Sequence, residues 1–141
     1  MSLDFDALET SFDLVASRGD ELMDEFYSRL FTAAPEVRRL FPDDLRKQKA
    51  MLLAALVLVR KSVRNLDAIV PALRSLGARH VGYGARAEHY PVVGAALLAS
   101  LASIAGGAWD ERYEQAWAAA YDVLATVMLD GAAAAEIEAA A

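Results

Sequence analysis

The sequence predicts an all-α fold in one domain spanning residues 1–141. Apolar residues recur at helical spacing along nearly the whole chain, and no stretch alternates apolar and polar residues as a half-buried strand would. The interruptions are short and built from Gly, Pro, Asp and Ser, which are turn and cap residues. A chain of 141 residues suits a single domain. Its apolar share is 56%, and mean hydropathy is +0.23. Two explanations fit that figure equally: an alanine-rich composition, or a helical core enlarged by a buried hydrophobic ligand.

The first helix shows Phe5, Leu8, Phe12 and Val15 on one face and is interrupted by Ser17-Arg18-Gly19-Asp20. The second carries Met23, Phe26, Tyr27, Leu30 and Phe31 on one stripe, so Tyr27 points inward. Pro35 suits the first turn of a short third helix ending at Phe41, because the residue before Pro42 is pushed out of helical geometry. Asp43 or Asp44 can cap the next helix, whose inner face holds Leu52, Ala55, Leu56, Val59 and Val63. Another is expected to begin at Asn65-Leu66-Asp67 and to stop near Gly82 and Gly84. A long helix then runs from about Glu88 to Ala105. The last, capped by Asp110, shows Tyr113, Trp117, Tyr121, Leu124 and Met128. Residues 131–141 are alanine-rich, either a helical extension or a frayed end.

Composition excludes several chemistries. With no cysteine there is no disulfide, zinc–thiolate site, iron–sulfur cluster or thiol nucleophile. A net charge of −6, with basic residues scattered among acids, argues against nucleic acid. Acids stand near the N-terminus where an export signal carries basic residues, so a cytoplasmic location is expected. Tyr90 to Trp109 is 20 residues without charge. Pro91 and Gly106-Gly107 trim its helix to roughly 22 Å, short of a hydrocarbon core of about 30 Å. A buried helix is expected there, and no membrane partner.

Two imidazoles exist, His80 and His89. Leu73 and Leu76 precede His80 by seven and four positions, so its ring emerges from an apolar stripe near a glycine-terminated helix end. There the Leu76 carbonyl can accept the Nδ1 proton and leave Nε2 free for a metal. Gln48 and Leu52 are four apart and face one way. Taken alone, Tyr27 is equally a core tyrosine, and Gln48, within Arg46-Lys47-Gln48-Lys49, equally a surface residue.

The run Leu76-Gly77-Ala78-Arg79-His80-Val81-Gly82-Tyr83-Gly84, followed by His89-Tyr90-Pro91-Val92-Val93-Gly94, resembles the proximal segment of bacterial globins. Phe26-Tyr27-Ser28-Arg29-Leu30-Phe31, Pro35-Glu36-Val37 and Leu40-Phe41 form a second matching block. Ala116-Trp117 and Ala120-Tyr121-Asp122-Val123-Leu124-Ala125 form a third. The chain is therefore similar to the globin domain of flavohaemoglobins and to their single-domain relatives. The resemblance implies a globin fold around haem b, with His80 as the iron ligand. Phe41 would pack on the haem, and Tyr27, Gln48 and Leu52 would line the distal face. Tyr90 would lie on the proximal side, and Arg79 would neutralise a propionate, although an exposed arginine is equally ordinary there. His89 is either exposed or near a propionate. The implied ligands are O2, NO and CO, with high O2 affinity through the Tyr27 and Gln48 donors.

The chain departs from the family in two places. Ala132 stands where the family has a glutamate supporting the proximal histidine, and the connector from Phe41 to Gln48 is short. No Gly-rich dinucleotide fingerprint is present, so reduction of the iron would depend on a separate reductase. Oxygen binding is the leading expectation. NO dioxygenation, with Tyr27 and Gln48 as its catalytic residues, is the enzymatic alternative, and gas sensing or a haem-free regulatory role is a third. Lys49, beside Gln48, is the competing candidate for entry into the distal pocket.

Overall fold

Asp4 starts the first helix. Its carboxylate accepts the Ala7 N–H at 3.2 Å, meeting one of the donors that a helix N-terminus leaves open. The computed structural model describes residues 3–140, so Met1, Ser2 and Ala141, the ends of the expected single domain, lie outside it. Six α-helices follow one another: α1 (Phe5–Val15), α2 (Gly19–Ala33), α3 (Arg46–Ser62), α4 (Val70–Gly82), α5 (His89–Ala105) and α6 (Glu111–Ala140). Short 3-10 segments join several of them, and there is no strand among the described residues. The fold is all-α, as the periodicity predicts.

Most boundaries fall where turn chemistry puts them. The expected third helix is a 3-10 turn, Pro35–Leu40, and Phe41 is extended at φ −117 and ψ 150, as a residue preceding proline prefers. Asp44 accepts the Arg46 N–H at 3.0 Å at the head of α3. Asp110 accepts the Tyr113 N–H at 2.9 Å at the head of α6. One expected start is displaced. Asn65 is non-helical at φ −148, so residues 63–69 form a 3-10 segment and α4 begins only at Val70, with Pro71 in its first turn. The alanine-rich end continues α6 through Ala140 rather than stopping at Gly131.

The core gathers Leu8, Leu22, Met23, Leu101 and Trp117, all buried. Two of its polar side chains pair within it. The Trp117 indole N–H donates to Ser11 Oγ at 2.7 Å, and Ser11 donates to the Ala7 carbonyl at 2.6 Å. The α5 helix packs on α2 and also meets α1 and α6. Residues His89–Ala108 and Glu111–Ala139 are long and apolar enough to cross a membrane by length and composition. In this fold, however, α5 sends Gly94, Ala96, Leu97, Ser100 and Leu101 into the core.

The helix that carries His80, α4, is seated against α6 by two glycines. A Cβ on Gly77 would fall on the Met128 carbonyl, and one on Gly131 would fall on the Arg74 carbonyl. Bare backbone on each side lets the two helices cross in direct contact. Tyr121 rests over Gly94, whose Cβ would lie 2.6 Å from the ring. The Tyr121 hydroxyl donates to the Tyr90 carbonyl at 2.6 Å and so pins the start of α5 to α6.

Candidate functional site

His80 sits in the last turn of α4 and is half-buried. Its Nδ1 lies 2.7 Å from the Leu76 carbonyl. A carbonyl only accepts, so Nδ1 carries the proton and Nε2 presents a lone pair. That is the tautomer expected from the sequence, and it is the one a metal needs. The Tyr83 ring meets the imidazole edge-on at 5.5 Å, which further limits its rotation. Helix α4 ends immediately afterwards, and Gly84 takes φ +91, a conformation few other residues adopt. A Cβ there would lie 3.0 Å from Leu40 Cδ2. The loop after His80 therefore meets the chain just before Phe41, and this contact connects the two sides of the site.

The opposing side is aromatic. Tyr27 is buried on α2, with Phe41 edge-on at 5.7 Å and Phe31 at 5.8 Å, while Phe31 and Phe41 stand 5.4 Å apart. The Arg38 guanidinium lies over Phe31 at 5.1 Å, and its N–H groups donate to the Phe41 and Pro42 carbonyls. It thereby holds Phe41 in place. Burial raises the Tyr27 phenol to a pKa of about 12, so the hydroxyl keeps its proton and remains a donor. No side-chain hydrogen bond engages that hydroxyl among the described residues.

On α3, Gln48 turns inward. Its Oε1 is sealed from solvent and has no partner. The neighbouring Lys49 turns the other way, donating to Asp24 on α2 at 2.8 Å. Of the two, Gln48 thus has its amide oxygen buried, while Lys49 is tied to α2 by an ion pair that sequence periodicity does not reveal. Leu52 is half-buried one turn beyond Gln48 and packs against the core.

The remaining expected residues are spread more widely. Tyr90 is half-buried and its hydroxyl oxygen is also sealed without a partner; burial raises its pKa. Arg79 is exposed and forms no ion pair among the described residues. His89 accepts the Arg86 N–H at 3.0 Å through Nδ1, which assigns it to the turn before α5. Hydrogen bonds and ring contacts join residues within the Tyr27 side and within the His80 side, not across them. Phe31 and Tyr83 were not singled out as site residues. Their signal was four-residue spacing from Tyr27 and three-residue spacing from His80, which put each on its partner's face.

A haem, the group that the resemblance implies, fits this donor set. The His80 nitrogen with a free lone pair suits a metal, and the buried Tyr27 side chain, whose hydroxyl has no hydrogen bond among the described residues, offers a donor to a ligand on that metal. The apolar rings of Phe31 and Phe41 suit the planar body of the group. No cluster of three or more His, Cys, Asp or Glu residues suited to holding a bare metal ion occurs among the described residues.

Comparison with known proteins agrees. A family model described as Globin matches residues 24–128. A flavohemoprotein of Vibrio cholerae serotype O1 is 32% identical over 126 residues, which cover 87% of this chain and 32% of that protein. A flavohemoprotein of Bordetella parapertussis is 33% identical over 119 residues, covering 82% of this chain and 30% of that protein. The chain thus spans about a third of the length of the curated relatives it matches. A bacterial globin structure from Campylobacter jejuni has a TM-score of 0.80 at 27% identity, covering 91% of this chain and 93% of that one. A Rhodothermus marinus protein named as a nitric oxide dioxygenase, and engineered as a carbene transferase, has a TM-score of 0.90 at 26% identity over the full length of both chains.

Proposed function

Since the chain belongs to the globin family, we propose that it holds haem b on His80 and binds a diatomic gas, O2 foremost, on the face lined by Tyr27 and Gln48. The observation that carries this reading is the 2.7 Å bond from His80 Nδ1 to the Leu76 carbonyl, which leaves Nε2 as the free nitrogen. When bound, haem supplies ferrous iron that coordinates O2, NO or CO reversibly.

The protein's own residues do the rest. Leu76 fixes the tautomer and orientation of His80, and Tyr83 narrows its rotation. Phe41 and Leu52 offer apolar surface to the ring, and Tyr90 borders its proximal side. The exposed Arg79 guanidinium suits a propionate. On the distal side Tyr27 donates its hydroxyl proton to the ligand, and its raised pKa keeps that proton available throughout the physiological range. The Gln48 side-chain amide is the second donor. Hydrogen bonds to a ligand that draws negative charge are stronger than neutral ones, about 1.5–3 kcal/mol each. Tyr27 and Gln48 therefore favour O2 over CO and slow its release.

A second reading rests on the relatives' names, which include flavohemoprotein and nitric oxide dioxygenase. In it, NO, O2 and one electron combine to nitrate, the electron coming from a separate reductase. The same Tyr27 and Gln48 would then hold O2 for attack. The absence of cysteine accords with a cytoplasmic setting for either role.

The test is the absorption spectrum of the purified protein and of His80→Ala. About one haem per chain and a pentacoordinate ferrous spectrum are expected, with His80→Ala losing most of the haem. An unchanged Soret band and ligand spectrum in that variant overturns the assignment. Mixing the oxygenated protein with NO, with and without a reductase, separates the two readings: sustained turnover indicates dioxygenation.

A further inference from the structure

Arg38 stands near the end of the 3-10 turn Pro35–Leu40, and its guanidinium reaches over the segment that follows. It donates to three successive backbone carbonyls, those of Phe41 at 3.3 Å, Pro42 at 3.0 Å and Asp43 at 3.2 Å. No backbone N–H meets any of these carbonyls among the described residues. The Arg38 carbonyl in turn accepts the Phe41 N–H at 3.1 Å, so one residue grips Phe41 by both of its backbone polar groups. The same guanidinium covers the Phe31 ring at 5.1 Å, and Phe31 meets both Tyr27 and Phe41. Arg46, Arg60, Arg64 and Arg112 each pair with a carboxylate, whereas Arg38 pairs with none among the described residues. Its donors go to the backbone that leads into α3, and its face goes to the aromatic cluster.

We propose that Arg38 is a positioning residue for the gas-binding face, acting through Phe31 and Phe41 on the Tyr27 hydroxyl. A planar guanidinium reaches several acceptors in fixed directions, which the compact ammonium of a lysine does not. With the fork in place, Phe31 and Phe41 are held, the Tyr27 ring between them has one seat, and its hydroxyl meets a bound ligand from one direction. Without it, residues 41–43 lose those bonds, the two rings loosen and the hydroxyl samples several directions. A hydrogen bond weakens steeply as its angle departs from linear. O2 draws negative charge and depends on that donor, so it leaves faster; CO depends on it little. Arg38 thereby helps set the discrimination between the two gases. That consequence rests on the haem reading; the clamp itself does not.

The clamp is tested by side-chain ¹⁵N–¹H NMR of the protein as purified. Arg38 should give slowly exchanging Nη–H signals, and exchange as fast as that of the exposed Arg79 overturns the clamp, whether or not haem is bound. The consequence is tested by Arg38→Met, which keeps an apolar stem, and by Arg38→Lys, which keeps the charge. Both should speed O2 dissociation about three- to tenfold, less than removal of the donor itself by Tyr27→Phe. Both should change CO dissociation much less, and both should broaden or split the C–O stretching band of the CO-bound form, a signature that a purely structural role would not move. In the Tyr27→Phe background Arg38→Met should add nothing, because the group it positions is gone. Wild-type O2 release with an unchanged C–O band in the folded variants, wild-type behaviour in Arg38→Lys, or full additivity with Tyr27→Phe overturns the assignment. Where Arg38→Met fails to fold, Arg38→Lys decides by the same measurements. A preparation without a Soret band would sink the haem reading and leave the exchange measurement interpretable.

Discussion

At the scale of single residues, the site depends on which polar atoms are left unmet. The Tyr27 side chain is buried, and its hydroxyl keeps its proton and has no hydrogen bond among the described residues, so its donor is available to a ligand. Tyr27→Phe keeps the ring stack with Phe31 and Phe41 and deletes only that donor. O2 affinity should fall roughly 10- to 150-fold, from the loss of about 1.5–3 kcal/mol. Most of the loss should appear as faster dissociation, because the bond forms only after the ligand has arrived. Stopped-flow O2 and CO dissociation measure this, and equal effects on the two gases would remove Tyr27 as the donor. Gln48→Leu should act in the same direction and need not add to it, since both groups serve one ligand.

At the scale of helices, the position of His80 is set by how α4 lies on α6. Gly77 and Gly131 place backbone against backbone at that crossing, where an added methyl group would meet a carbonyl rather than a flexible side chain. Gly77→Ala should therefore destabilise the fold by about 1–3 kcal/mol. It should also weaken haem retention, because moving α4 moves the imidazole. Thermal melts and haem transfer to an acceptor protein report the two effects. Gly82→Ala is the control: nothing lies near its Cβ, and it should leave both nearly unchanged.

Helix α1 is tied to its neighbours by ion pairs. Arg64 holds Asp6 and Glu9, both at 2.7 Å, Arg60 holds Asp13 at 3.0 Å, and Arg112 holds Asp4 at 2.7 Å. The arginine hydrogen bonds lower the pKa values of Asp4, Glu9 and Asp13 below their ordinary range. A carboxylate with a lowered folded pKa stabilises the fold fully above its unfolded pKa, and that contribution fades as pH falls through the folded one. Melting temperature should therefore decline from about pH 4 downward. Arg64→Gln should flatten the decline, and a profile identical to wild type would show that the exposed Arg64 pairs contribute nothing.

At the scale of the whole molecule, several residues proposed to contact haem are only partly covered: Phe41, Leu52 and His80 are half-buried. A ligand that covers them binds the folded state alone and stabilises it by mass action. At free haem about a thousandfold above its dissociation constant, the gain is about 4 kcal/mol. For a domain of this size that raises the melting temperature by on the order of 10 °C. Calorimetry across a haem titration should show the rise in wild type and lose it in His80→Ala.

The sequence by itself determined the all-α class, most helix ends and the inward direction of Tyr27, because periodicity, prolines and caps act over four residues or fewer. It also determined the His80–Leu76 bond, which lies within one helical turn, and the neighbours Phe31 and Tyr83 stand at the same short spacing from Tyr27 and His80. Tertiary structure decided what depends on residues far apart in the chain. Lys49 pairs with Asp24 on α2 while Gln48 buries its amide oxygen, a difference that spacing on α3 alone left open. Asn65 and Pro71 both carry local signals, and α4 begins between them, at Val70. The crossing of Gly77 with Met128 and the approach of Leu40 to Gly84 each join segments at least forty residues apart. Helical spacing registers which face a residue occupies, and only the packed molecule decides what that face meets.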